Sequence, residues 1–183
     1  MRSSVVVCFV AACTYTDVTK SIGLVPHDLP PDLVAYLAEA GRCWNERFNV
    51  HFVSGPDALT SAQHVDVVID ETTCLDAPAQ LQAGWPETLA MCPLRYWPAL
   101  EPGLQPFQYE PFRVISHELG HVLNIIEHPD DPFAVMRSGS QNGDAFFHAA
   151  DIQLFEAANV GFDDAHPPCV DLRRESSSCV CHD

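Results

Sequence analysis

The sequence predicts an α/β domain, and three stretches carry that prediction. PPDLVAYLAEAGRCWNERF, residues 30–48, sets Leu33, Leu37, Ala40 and Trp44 at spacings of four, three and four, which is one apolar face of a helix. VDVVIDE, from Val65 to Glu71, has a β-branched centre bounded by polar residues and reads as a strand. Helical periodicity returns at PFRVISHELGHVLNII, where Val114, Ile115, Leu119, Val122 and Leu123 share the inward face.

The remaining elements follow in chain order. MRSSVVVCFVAAC opens with an arginine, runs through eight apolar residues from Val5 to Ala12 and reaches Cys13, an order that resembles a bacterial lipoprotein signal. Residues 1–12 are therefore expected to be a signal peptide, with Cys13 lipidated as a membrane tether; a buried first strand, VVVCFV, fits the same composition. TKSIGLV, Thr19 to Val25, is a weaker strand pattern. Asp28 stands ahead of the first helix as a start signal, and Pro30 and Pro31 suit its first turn. NVHFVSG reads as a strand ending at Gly55-Pro56. From Thr72 to Pro111 the chain is rich in Pro, Gly, Leu and Trp, and reads as a long irregular connection with short strands. HAADIQLFEAANV predicts a last helix with Ile152, Leu154, Phe155 and Ala158 inward. Residues 13–165 are expected to form the domain, and 166–183 a cysteine-containing irregular tail.

Composition narrows the function classes. Nine basic residues against 25 acidic ones give a net charge of -16, spread along the chain, which disfavours nucleic acid and anionic membrane surfaces as partners. Eight cysteines with no CxxC pair point away from a zinc ribbon and toward disulfides in an oxidising compartment. A secreted or outer-surface lipoprotein, otherwise monomeric, is the expectation; beyond the first segment nothing approaches the length of a membrane span.

HELGHVLNIIEH, residues 117–128, carries the chemistry. Residues four apart lie on one helix face, so His117 and His121 can present two imidazoles to one ion, and Glu118 can reach water at that ion without ligating it. His128 follows as a third candidate ligand, with Glu127 one position before it as the alternative.

The span from Phe112 to Gly161 resembles the catalytic region of metzincin zinc endopeptidases, and within them the matrixin-like group. Their motif, HExxHxxGxxH with a later methionine turn, is met by RVISHELGHVL including Gly120, by Met136 eight residues beyond His128, and by Asp151-Ile152 opening the last helix. The resemblance implies a twisted, mostly parallel sheet with the motif helix beneath it and a C-terminal helix. It implies Zn²⁺ held by His117, His121 and His128, Glu118 as general base, and protein or peptide substrates. Three departures stand out. Asn124 occupies the position of the family's helix-breaking glycine, and asparagine tolerates the left-handed conformation best among the other residues. The third histidine arrives one residue late, which leaves Glu127 in the ligand position if the turn does not absorb the insertion. Arg137 follows Met136 where matrixins carry tyrosine. These departures keep open a catalytically inactive zinc-binding or adhesive lipoprotein, and a disulfide-held binding module with an accidental motif. His148, His166 and His182 lack paired spacing and read as surface residues; Asp130 and Asp131 read as a solvated turn.

Overall fold

The computed structural model describes residues 20–48, 50–73, 78–84, 86–93, 111–131, 134–137 and 147–159. The proposed leader 1–12, Cys13, the tail 166–183, His166 and His182 lie outside them. Strand β1 (Lys20–Pro26) leads through helix α1 (Pro31–Arg47) to β2 (Val50–Ser54). A 3₁₀ turn (Pro56–Thr60) precedes β3 (Gln63–Ile69), followed by β4 (Ala79–Gln82) and β5 (Glu87–Met91). Helices α2 (Pro111–Val122) and α3 (Ala149–Ala158) complete the described elements. The result is a mixed α/β fold with a mostly parallel sheet in the order β2-β1-β3-β5-β4. Neighbours from β2 to β5 run parallel, and β4 alone is antiparallel, on the edge beside β5. No described helix is long and apolar enough to cross a membrane.

The first helix forms as its pattern predicts. Pro31 occupies the first turn, and Leu33, Leu37, Ala40 and Trp44 are all buried, while Arg42 pairs with Glu39 and Glu46 on the outer face. Its start signal is not Asp28, whose φ of 52° places it in a left-handed turn; Pro30 is the N-cap and no side chain caps the helix. Asn45 reaches across to β2, accepting from the Phe52 amide at 2.6 Å and donating to its carbonyl at 3.0 Å. That pairing occupies edge groups that would otherwise seek another strand. The 3₁₀ turn lies directly on β1: a Cβ at Gly23 would stand 1.9 Å from the Ala58 carbonyl oxygen, so only glycine permits the approach.

Other expectations need adjustment. β3 sits two residues earlier than the span from Val65 to Glu71. The helix at HELGH stops at Val122 and does not continue to Ile126. On α3, Phe155 is buried, Ile152 and Leu154 are partly buried against the core, and Ala158 is exposed. The inward position that periodicity of apolar residues passes over is Asp151.

The core beneath the motif helix is aromatic. Trp44 of α1 and Phe48, the residue that ends it, meet Phe147 and, through Phe48, Phe155 of α3, with ring centroids 4.2 to 5.2 Å apart. Each such ring, fully buried, contributes about 1.5–3 kcal/mol. The Trp44 indole donates to the Ser116 carbonyl at 3.0 Å, which ties α1 to α2 one residue before the motif.

Candidate metal centre and active site

Helix α2 buries Phe112, Ile115, Leu119 and Val122 and leaves His117 and His121 half-buried, one turn apart on one side. Each imidazole is oriented by a backbone carbonyl. His117 Nδ1 lies 2.8 Å from the Val135 oxygen, and His121 Nδ1 lies 2.7 Å from the Ile125 oxygen. A carbonyl only accepts, so each Nδ1 carries the proton and donates it, and each Nε2 presents a lone pair. Burial pushes the His117 pKa down to about 4, with His121 and His128 adding to the shift and the Val135 bond opposing it. Burial likewise lowers that of His121. Both rings are therefore neutral at neutral pH, the form that ligates a metal.

Past Val122 the chain turns sharply. Ile125 N–H donates to the Gly120 carbonyl at 3.1 Å and Asn124 N–H to the His121 carbonyl at 2.9 Å, the paired bonds of a Schellman motif, with Asn124 left-handed at φ 63°. Ile125 is buried under the turn and Ile126 is 78% exposed. Asn159, at the end of α3, donates to the Leu123 carbonyl at 2.9 Å and so satisfies one orphan group of the motif helix.

The turn delivers His128 to the other two histidines. Ligand atoms of His117, His121 and His128 all lie within 4.8 Å of one another, the one such group of three among the described residues. His128 Nε2 stands 3.3 Å from His117 Nε2, and the ring centroids are 4.7 to 5.2 Å apart. Glu127 is exposed and outside the group. The three histidines can hold a metal ion. Two nitrogens turned on each other require a proton or a cation between them, and three imidazoles, two of them with carbonyl-bound Nδ1 atoms, are a donor set suited to Zn²⁺.

Glu118 is 8% exposed and accepts a hydrogen bond from the Leu81 amide of β4 at 3.0 Å. Burial pushes its pKa up to about 7, against the opposing pull of that bond. Met136, fully buried, packs against the motif helix at Gly120, where a Cβ would stand 2.1 Å from its Sδ. A side chain at Gly120 would therefore force Met136 to shift.

Asp151 is the residue whose role the sequence reading missed. Wholly buried, it accepts from the amides of Val135 at 3.0 Å, Met136 at 2.9 Å and His148 at 2.9 Å. Burial raises its pKa, and the three amides pull the other way. One carboxylate thus caps α3 and fixes the turn whose Val135 carbonyl orients His117. The available signal was HAAD, a capping box with His148 as N-cap and Asp151 three residues on. His148 and Asp131, read from sequence as a surface residue and part of a solvated turn, stand with Nδ1 and Oδ2 3.2 Å apart, both partly buried. Arg137 is half-buried, its amide donating to Ala134 at 3.3 Å. The connection read as irregular with short strands contributes β4 and β5, and β4 is the strand that touches Glu118.

No protein-family model matches the chain, and no curated protein sequence matches it. Among solved structures the chain is similar to archaemetzincin from Methanopyrus kandleri, at 14% identity and a TM-score of 0.48, over 76% of this chain and 95% of that one. It is also similar to high choriolytic enzyme 1, a hatching enzyme zinc-protease from the medaka Oryzias latipes, at 16% identity and a TM-score of 0.35, over 64% of this chain and 52% of that one.

Proposed function

We propose that the chain is a zinc-dependent metalloendopeptidase of the matrixin-like metzincin type, acting on proteins or peptides. The observation that carries this reading is the convergence of three imidazoles beside a buried carboxylate from the same helical turn. His117, His121 and His128 would hold Zn²⁺, which when bound acidifies water and polarises the scissile carbonyl. Glu118 takes the proton of the attacking water and returns it to the leaving amine. Met136, Gly120 and Asp151 support the matrixin-like reading by building the packed turn under the histidines.

We also place the protein outside the cytoplasm, tethered through Cys13 and otherwise monomeric. Eight cysteines with no CxxC pair support this reading of an oxidising compartment.

Zinc content and peptide cleavage in wild type, Glu118→Ala, His128→Ala and Glu127→Ala test the reading together. Glu118→Ala is expected to keep zinc and lose about 10²–10⁴-fold in rate. His128→Ala is expected to lose zinc, and Glu127→Ala to keep both metal and activity. Persisting activity in Glu118→Ala sinks the mechanism. A zinc-loaded wild type that leaves casein and peptide libraries uncut favours an inactive, adhesive zinc protein.

A further inference from the structure

The Leu81 amide stands apart from the other described backbone donors because it reaches the proposed general base from an edge of the sheet. Cys92 N–H donates to the Pro78 carbonyl at 2.8 Å, so that pair is hydrogen-bonded across the ladder. With Ala79 opposite Met91, Gln80 opposite Ala90 and Leu81 opposite Leu89, antiparallel alternation turns the Leu81 amide away from β5. β4 is the edge strand, and this outward amide is directed at Glu118 Oε2, 37 residues further along the chain.

We propose that the Leu81 backbone amide is a positioning group for Glu118, holding Oε2 so that Oε1 is left to exchange protons with the reacting water. The inference rests on the peptidase reading and deepens it. A glutamate side chain has three torsions, and one anchored oxygen removes most of the freedom that would carry the carboxylate out of reactive geometry. Because the donor is a backbone group in a strand, its position follows the sheet and not a second flexible side chain. The arrangement makes β4 part of the catalytic support although none of its side chains is a conventional acid, base or ligand.

The test removes the amide and leaves the ladder. In the full-length, zinc-loaded protein, Leu81 is replaced by its α-hydroxy analogue, so that an ester stands in place of the N–H. Leu81→Pro serves as a second variant, since proline is accepted where an edge N–H faces outward. Both are expected to lower kcat about 10–100-fold, the usual cost of removing an outer-shell partner, with KM and zinc content unchanged. Independently of activity, hydrogen exchange at Leu81 is expected to be slow in wild type and to accelerate in Glu118→Ala, with exchange at Ala90 unaffected. Wild-type kcat in the ester variant overturns the proposal. So does Leu81 exchange that ignores the loss of Glu118, whatever the activity. A protein that cuts no peptide but keeps the exchange dependence sinks the peptidase reading and leaves the amide–carboxylate support standing.

Discussion

His117 and His121 reach the centre from helix α2, and His128 reaches it from the loop beyond, and the two routes are specified by different physics. On the helix, a spacing of four residues puts both rings on one side whatever surrounds them. Each ring then engages a backbone carbonyl through Nδ1, Val135 for one and Ile125 for the other. His128 is exposed, and its side-chain hydrogen bond among the described residues is to His117 itself. Its place depends on one left-handed residue, Asn124, and on the buried Ile125 that follows. A helix-borne pair is thus set by the helix itself, and the loop-borne histidine completes the group of three.

The largest effect is expected where the helix pair is held from outside. Asp151→Ala leaves three amides without their acceptor, two of them buried and one partly buried. Stability should fall by about 3 kcal/mol or more, read by urea denaturation, since each unsatisfied group costs about 1–3 kcal/mol. Zinc affinity should fall with it, because the Val135 carbonyl that orients His117 belongs to the released turn. A loss under about 1 kcal/mol would break the claim that the His117 anchor hangs from α3.

A smaller effect is expected at the contact between helix and floor. Alanine at position 120 would gain about 1 kcal/mol from helix propensity alone. Against that, its Cβ meets Met136 Sδ at 2.1 Å, and overpacking costs about 1–3 kcal/mol. Gly120→Ala should therefore be destabilising in wild type and stabilising in a Met136→Ala background, a sign change that a double-mutant cycle reads directly. The same sign in both backgrounds would show that the floor yields to the helix.

This contrast also explains what could be read from the sequence. The stripe Leu33, Leu37, Ala40 and Trp44, the pair His117 and His121, and the proposed base Glu118 are all set by helical period, and periodicity is local information. His128 could be nominated only by setting the chain beside a known motif, with Glu127 as its rival, because loop geometry is not periodic. Asp151 and Leu81 act through contacts 15 to 37 residues distant, and neither carries a pattern that marks its partner. β4 is four residues long, AQLQ, in a Pro- and Gly-rich region, too short for alternation to single it out. Asp28 misled for the opposite reason: aspartate ahead of a helix commonly caps it, but here the residue serves a left-handed turn.

The finest test falls on Asn124, where the two routes part. An ordinary side chain in the left-handed region costs about 1–2 kcal/mol, and asparagine and glycine reduce or avoid that cost. Asn124→Ala should therefore lose about 1 kcal/mol, and Asn124→Gly should match wild type or exceed it by a few tenths. The metal should report the same order. In Asn124→Ala the helix is favoured to run on past Val122, which shifts the Ile125 carbonyl from His121 and carries His128 away from His117. Weaker zinc binding in the alanine variant, with the glycine variant unchanged, would show that one backbone angle delivers the third ligand. Equal zinc affinity in both would mean that the histidines organise the loop, and the distinction between a preset pair and a delivered third ligand would reverse.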